Sequence, residues 1–189
     1  MDTIISEERA VEPFSGIKFT GIGHVYITQS DTASLVVKAP AAILQKAKTE
    51  VKGDTLEIGF RFALFRWLRS VGEIDKIEFH ITSPAVNTIV SNGAGKIVST
   101  NTISAKDLTL KSTGAGNTEL DVDAATILAR VTGAGNIIIK GKVKAQDLTI
   151  TGAGKYEGFD LDSDTAVVHS TGSGQAFISV KKKLDVTLT

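Results

Sequence analysis

Apolar and polar residues alternate along short stretches of the chain, and five of these stretches end at a Gly-x-Gly turn. The residue four positions before the first glycine is always apolar, whereas the next residue is mostly polar. The apolar positions are Ile89, Leu110, Ala129, Leu148 and Val168. A period of two directs one face of a β-strand to a core and the other to solvent. Because apolar runs such as 137–139 also follow the turns, each unit is predicted to be strand, turn and strand.

The five turns recur at intervals of 21, 19, 19 and 20 residues. Their glycines are Gly93 and Gly95, Gly114 and Gly116, Gly133 and Gly135, Gly152 and Gly154, and Gly172 and Gly174. A single short strand cannot bury its apolar face, but stacked repeats build a continuous core. The spacing therefore predicts an all-β fold, a right-handed parallel β-helix (a β-solenoid) of about 20 residues per coil. Equivalent residues would stack in columns, with the glycines at positive φ in sharp corners.

One β-solenoid domain is predicted for residues 1–189, because the length suits a single core. Residues 91–189 form the regular Gly-x-Gly coils, and residues 1–90 form irregular coils with an early copy of the turn at Gly21 and Gly23. Pro40 before an apolar stretch predicts a short helix near 41–48. The composition agrees, since 21 Thr, 19 Ile, 16 Val and 18 Gly favour strands and tight turns.

Charge and cysteine content exclude several classes of function. The 21 basic residues balance 21 acidic ones, so no electrostatic field favours nucleic acid. The absence of cysteine excludes disulfides and thiolate metal sites. No stretch is apolar for the roughly 20 residues that cross a bilayer, and the first residues lack the pattern of a signal peptide. No cofactor is expected.

Candidate chemistry is sparse and acidic. The three histidines lack metal-ligand spacing, and no serine lies in a nucleophile elbow, so no catalytic residue is predicted. Corresponding loops of neighbouring coils carry Asp121, Asp123, Asp160, Asp162 and Asp164. These carboxylates could bind Ca²⁺ or act as pairs on a glycan. The alternative is that they are solvated turn residues, which aspartate favours.

One segment, residues 60–69, departs from the repeat because it concentrates arginine and aromatic residues. Its candidate interface residues are Phe62, Phe65, Arg66, Trp67 and Arg69. One interpretation is a loop or short helix that covers the solenoid. Another is an oligomer or partner surface, where these residue types are enriched. A short helix on a membrane surface is a third.

The chain ends with residues 184–189, and the last five of these match 147–151, which lead directly into Gly152. A sixth turn would therefore follow Thr189, and a solenoid that stops there exposes an unpaired strand edge. Either the chain is truncated at this point or a partner subunit covers the edge. We therefore predict a homo-oligomer as one arrangement, with a trimer among the options.

Several of these motifs together resemble the head GIN domain family. The matching segments are Glu8-Arg9, 14–17, 25–29, 56–58 and the serial Gly-Ala-Gly-Asn-Ile turns. The family comprises bacterial domains of unknown function with a suggested autotransporter-adhesin role. The resemblance implies a pectin-lyase-like β-helix, no carried-over catalytic residues, and export to the periplasm, outer membrane or cell surface.

Three functions follow as hypotheses. The first, favoured by the solenoid and the resemblance, is a non-catalytic surface or periplasmic module that adheres to a protein or glycan. The second is a carbohydrate-active β-helix enzyme that uses the acidic loops. The third is a self-assembling scaffold joined at the exposed terminal coil.

Overall fold

The computed structural model describes residues 3–60 and 76–189, and it is nearly all β-structure. Its strands are β1 (Ile4–Arg9), β2 (Gly16–Thr20), β3 (His24–Gln29), β4 (Ser34–Pro40), β5 (Lys48–Lys52), β6 (Thr55–Gly59), β7 (Glu78–Ser83), β8 (Thr88–Ser91), β9 (Lys96–Ser99), β10 (Ile103–Ser112), β11 (Asn117–Gly133), β12 (Asn136–Gly152), β13 (Lys155–Gly172) and β14 (Gln175–Leu188). One α-helix, α1 (Ala41–Leu44), lies within these ranges. The predicted all-β class is confirmed.

The strands stack in parallel as a solenoid of about 5 turns with roughly 20 residues per turn, as the repeat predicts. β10 pairs with β11, β11 with β12, β12 with β13 and β13 with β14. The register advances by one repeat from strand to strand, so Thr132, Thr151 and Thr171 lie opposite one another. Each of β11 to β14 bends round the core, since its first part and its last part belong to different faces.

The core is built from the columns that the alternation predicts. Leu56, Ile17, Ile89, Leu110, Ala129, Leu148 and Val168 follow one another across seven adjacent strands. None of these side chains is more than 3% exposed. Burying a large aliphatic side chain contributes about 1.5–3 kcal/mol, so the stack gains stability at every coil, which an isolated repeat would lack.

The coils do not stack in the order of the chain at the N-terminal end. β2 lies between β6 and β8, and β3 lies between β7 and β9, all in parallel. The turn of Gly21 and Gly23 is therefore placed directly beneath the first regular turn, where Ala94 N donates to Gly21 O at 2.9 Å. The early copy of the repeat seen in the sequence is thus the second coil of the stack.

Antiparallel strands and a short helix close the N-terminal end. β4 pairs antiparallel with β7 and with β1, and β5 pairs antiparallel with β6. The helix α1 is shorter than the predicted 41–48, because Pro40 offers no side-chain cap and Lys48 already begins β5. Arg9 donates to Leu44 O and Ala47 O, both at 2.8 Å. This guanidinium satisfies carbonyl groups that the helix end leaves free.

The glycines of the repeat are required mainly by close packing, which corrects the expectation of positive φ throughout. Of the ten repeat glycines, only Gly133, Gly152 and Gly172 have positive φ. At Gly116 a Cβ atom would lie 2.5 Å from the carbonyl oxygen of Gly95 in the coil below. The turns stack so closely that a side chain has no room, whatever the backbone angle.

The C-terminal coil leaves apolar side chains uncovered. Leu184, Val186 and Leu188 continue the buried columns of β13 but are 48%, 51% and 73% exposed. The carbonyl and amide groups of β14 on this side have no neighbouring strand within the described residues. In the same part of the chain, no helix is both long and apolar enough to cross a bilayer.

Candidate functional site

The outer surface of one parallel sheet carries rows of stacked side chains along the solenoid. It is formed by β7, β3, β9 and the first residues of β11, β12, β13 and β14. We call this surface the ladder face. It follows directly after the Gly-x-Gly turns, so each repeat contributes residues at the same positions.

Two rows define the ladder face. The first row, one residue after each turn, is His24, Lys96, Asn117, Asn136, Lys155 and Gln175. The second row, two residues further on, is His80, Tyr26, Val98, Glu119, Ile138, Glu157 and Phe177. The first row is polar, and Asn136 Nδ2 donates to Asn117 Oδ1 at 3.2 Å. The second row mixes carboxylates with apolar and aromatic groups.

A β-bulge in β13 breaks the regularity of this face. Ile138 pairs with Glu157, but Gly141 pairs with Leu161, so β13 has one residue more than β12 over this stretch. An extra residue bends the strand and turns side chains outward. Phe159 is consequently 74% exposed, although a phenylalanine at a regular inward position would be buried.

The bulge forms one wall of a groove of about 420 Å³, which we call the ladder groove. Its other walls come from β9, β11 and β12 and from the residues after β9. The lining residues are Val98, Ser99, Thr100, Asn101, Glu119, Leu120, Asp121, Ile138, Ile139, Lys140, Glu157, Phe159 and Asp160. The groove combines hydroxyl, amide, carboxylate and aromatic groups, and its volume lies in the range of small-molecule sites, roughly 300–1,000 Å³.

Lysines hold the carboxylates of the groove in place. Lys96 Nζ lies 2.7 Å from Glu119 Oε1, and Lys155 Nζ lies 2.7 Å from Glu157 Oε1. Asp121 Oδ2 lies 3.5 Å from the ammonium of Lys140. Three of the four acidic groups are therefore neutralised in pairs, whereas Asp160 has no ion-pair partner among the described residues.

Second contacts orient two of these groups further. The Oδ1 atom of Asp121 accepts a hydrogen bond from Thr102 Oγ1 at 3.0 Å. The ammonium of Lys155 also lies 4.9 Å from the centre of the Phe177 ring, a distance suited to a cation–π contact. The charged rim of the groove is thus fixed by neighbouring side chains.

An aromatic cluster occupies the N-terminal end of the ladder face. Tyr26 stacks on His80 with ring centres 4.9 Å apart, and the ring centre of His24, on the same strand as Tyr26, lies 6.4 Å from that of Tyr26. His80 Nε2 and Glu78 Oε2 are hydrogen-bonded at 2.7 Å. This hydrogen bond, together with the charge of Lys38, lowers the pKa of Glu78. The face thus offers aromatic surface at both ends.

The five predicted aspartates are spread over the coils, and three of them, Asp121, Asp162 and Asp164, are paired with lysines. Asp162 binds Lys181 at 2.7 Å and Asp164 binds Lys182 at 2.9 Å. Asp121 and Asp160 line the ladder groove, and Asp123 lies beside Lys142 on the next coil. Among the described residues, no three His, Asp or Glu side chains are placed to hold a metal ion. Calcium binding by these residues stays a prediction, which calorimetric titration would check.

The other predicted interface lies outside the described residues. Phe62, Phe65, Arg66, Trp67 and Arg69 belong to 61–75, so the role proposed for them stays a prediction.

Sequence reasoning missed the ladder groove, although the repeat contains its signal. The residues three positions after the last glycine of each turn are Val98, Glu119, Ile138, Glu157 and Phe177, and the first four of them line the groove. The interval of 20 residues between Gly152 and Gly172, after two intervals of 19, marks the extra residue that exposes Phe159.

Comparison with known sequences finds one matching protein family. Residues 13–189 match the sequence profile of the family described as "Putative auto-transporter adhesin, head GIN domain". No curated protein matches the chain in sequence.

Solved structures share the fold at low sequence identity. A "putative adhesin" from Bacteroides fragilis superposes with a TM-score of 0.89 at 22% identity, over 100% of this chain and 85% of that chain. A "putative lipid binding protein" from Parabacteroides distasonis gives 0.68 at 16% identity, over 98% and 95%. A "putative adhesin" from the same species gives 0.63 at 18% identity, over 98% and 97%. At these identities the likeness shows the fold.

Proposed function

We propose that this chain, which belongs to the head GIN domain family, is a non-catalytic exported module that attaches to a protein or glycan through its ladder face. The family and two of the structural neighbours carry adhesin descriptions, which support an adhesion-like role at the cell surface. The ladder face supplies the surface for it.

The observation that carries the proposal is the uninterrupted row from His80 to Phe177 across seven strands. Neighbouring strands lie about 4.8 Å apart, so the row presents evenly spaced groups on a rigid parallel sheet. Aromatic and aliphatic groups alternate in it with ion-paired carboxylates. A pre-organised surface of this kind loses little entropy when a partner binds.

The titratable groups of the described residues support binding over catalysis. Catalytic groups usually show strongly shifted pKa values inside a cleft. Here the hydrogen bond from Lys48 lowers the pKa of Glu57 to about 2, but Glu57 lies on β6 near the closed end. Burial raises the pKa of Tyr156, which lies in the core. Both large shifts belong to structural positions.

An acid–base pair of a glycoside hydrolase also fits poorly. Such enzymes need one protonated and one ionised carboxyl group beside the scissile bond. Glu119 and Glu157 face the groove from strands two apart, but each is engaged by a lysine at 2.7 Å. We therefore assign these carboxylates to binding and not to proton transfer.

The test compares surface variants in an adhesion assay. Fluorescently labelled protein is applied to intact bacterial and epithelial cells and to surfaces coated with glycans or matrix proteins. Ile138→Arg places a bulky charge on the ladder face, where Ile138 is 39% exposed, and Val167→Arg makes the same change on another outer face, where Val167 is 36% exposed. We expect only Ile138→Arg to remove binding. Equal binding of both variants, or sugar release from the glycan coats, would contradict the proposal.

A second candidate function is self-assembly through the C-terminal coil. The exposed column of Leu184, Val186 and Leu188 and the open edge of β14 suit the strand of a second copy. That strand would continue both the core and the hydrogen-bond ladder. Light scattering after size exclusion tests it across a range of protein concentrations. An oligomer that dissociates in Leu188→Lys supports self-assembly, and a wild-type monomer at every concentration excludes it.

A further inference from the structure

We infer that the ladder groove binds a neutral oligosaccharide, an inference that rests on the proposed binding function and specifies its ligand. The groove opens on the ladder face between β9 and β13 and holds about 420 Å³. Its lining residues come from four successive coils.

The charge balance of the groove favours a neutral ligand. Four carboxylates line or border it, and three ammonium groups lie against them, those of Lys96, Lys140 and Lys155. An unpaired acidic groove would attract a cationic peptide, whereas charges neutralised in pairs produce little net field. An anionic ligand would have to displace an existing ion pair in order to form its own, and so would a cationic ligand at any groove carboxylate except Asp160.

The groups exposed in the groove match the two kinds of surface on a pyranose ring. A pyranose has hydroxyls round its edge and an apolar face of C–H groups. Phe159 is 74% exposed and Ile138 is 39% exposed, so the groove presents apolar surface on which the C–H face can pack. The carboxylates of Glu119 and Glu157 are acceptors for hydroxyl groups, and a charged acceptor gives a stronger hydrogen bond than a neutral one.

The neighbouring polar row favours an oligosaccharide over a single sugar. Asn117, Asn136 and Lys155 lie next to the groove and repeat once per coil. Amide and ammonium groups of this row can donate to ring or glycosidic oxygens. A chain of sugars that leaves the groove along the solenoid axis would meet one such donor at each strand.

Two substitutions separate the contributions of the groove. Phe159→Ala removes the exposed ring, and Glu157→Gln keeps the shape of the side chain but removes its charge. Matched controls on another outer face are Val167→Ala and Asp147→Asn, since both residues are exposed there. All four residues lie on the surface, so thermal unfolding followed by circular dichroism should show an intact fold for each variant.

The probes are maltohexaose, laminarihexaose, xylohexaose and galactan fragments as neutral ligands, with a chitosan hexamer, polygalacturonate and poly-lysine as charged ones. Wild-type protein is screened on an array of all of them, and the best neutral sugar is titrated by calorimetry at low and high salt. We expect neutral binding that changes little with salt and weakens roughly three- to tenfold in Phe159→Ala. The controls should stay within about twofold of wild type.

The outcomes distinguish this inference from the broader proposal. If Ile138→Arg removes cell adhesion but the wild-type protein binds no neutral sugar on the array, the inference is overturned and the adhesion module stands. Preferential binding of poly-lysine or of a charged glycan overturns it as well. If Ile138→Arg leaves cell adhesion unchanged while sugar binding still depends on Phe159, the adhesion role is overturned and the sugar site stands.

Discussion

Tyr156 and Gln146 are hydrogen-bonded inside the solenoid, where Tyr156 Oη donates to Gln146 Oε1 across 3.0 Å. Gln146 Nε2 donates in turn to Ser163 Oγ at 2.9 Å, and Ser163 Oγ donates to Ser179 O at 2.5 Å. Tyr156, Gln146 and Ser163 are at most 3% exposed. The bonds therefore connect three successive coils through the core, with each buried group satisfied by the next.

Removing the phenolic hydroxyl should destabilise the fold. Tyr156→Phe leaves Gln146 Oε1 buried without its donor, which costs about 1–3 kcal/mol of unfolding free energy. Urea denaturation at neutral pH measures the loss. Tyr26→Phe, on the partly exposed ladder face, makes the same chemical change and should alter stability by less than about 0.5 kcal/mol. Equal effects of the two substitutions would mean that the buried bond contributes nothing.

Larger side chains at the stacked glycines should be severely destabilising. At Gly135 a Cβ atom would lie 2.5 Å from Ser112 Oγ and 2.9 Å from Gly116 O. Gly135→Val and Gly116→Val must separate neighbouring coils, at a cost of several kcal/mol. Ala115→Ser changes an exposed residue of the same turn and serves as the control. A midpoint of thermal unfolding near that of wild type for Gly116→Val would show that the turns are not packed as described.

Two buried serines should be replaceable with a gain in stability. The hydroxyls of Ser91 and Ser112 are buried without a hydrogen-bond partner among the described residues. Ser91→Ala removes an unsatisfied polar atom and should stabilise the protein by up to about 1 kcal/mol. Ser83→Ala should do the opposite, because Ser83 Oγ lies 2.8 Å from Phe14 O and 2.9 Å from Ala85 O. Denaturation curves that shift both variants the same way would refute this contrast.

Acid should weaken the closed end through Glu57. Lys48 Nζ donates to Glu57 Oε2 at 2.7 Å and Lys18 Nζ to Oε1 at 3.0 Å, and the pKa of Glu57 falls from 4.5 to about 2. A lowered folded-state pKa contributes stability that is complete above the unfolded value and is lost as the pH falls toward 2. Solvent screening keeps the contribution modest, since the ion pairs lie near the surface.

The variant Glu57→Gln isolates the contribution of the ionised carboxylate to the unfolding free energy. The difference in unfolding free energy between wild type and Glu57→Gln should be constant above pH about 5 and shrink toward zero near pH 2. Glu12→Gln, an exposed glutamate, provides the same change in net charge. A difference that grows as the pH falls would contradict the assignment.

The alternation of apolar and polar residues predicts which side chains of each strand face the core. Leu110 and Leu148 were identifiable as core because each lies four residues before a turn, and the structure buries both. The position of β2 between β6 and β8 was not predictable, because strand propensity does not specify which strand becomes the neighbour. Among the glycines of the first three regular Gly-x-Gly turns, only Gly133 has positive φ. The others are required by close contacts between neighbouring coils, which a sequence does not display.

The candidate site, too, was predictable only where it depends on the repeat. The columns of the ladder face are a direct consequence of the repeat, whereas the groove depends on one extra residue that exposes Phe159. A single insertion changes the repeat interval by one, and its structural effect depends on where the strand accommodates it. The ion pairs that neutralise Glu119 and Glu157 depend on lysines of the row beside them, and the stacking brings these together.

The most direct test of the binding surface is carboxyl footprinting of the protein while it is held on the cells or glycan to which it adheres. Glycine ethyl ester coupling labels exposed carboxylates, and mass spectrometry reports the extent at each residue. The ladder face as the binding surface predicts reduced labelling of Glu119, Glu157 and Asp160 on attachment, with Asp147 unchanged. Reduced labelling of Asp147 with no change at the three groove carboxylates would place the partner on the other face and contradict the central claim.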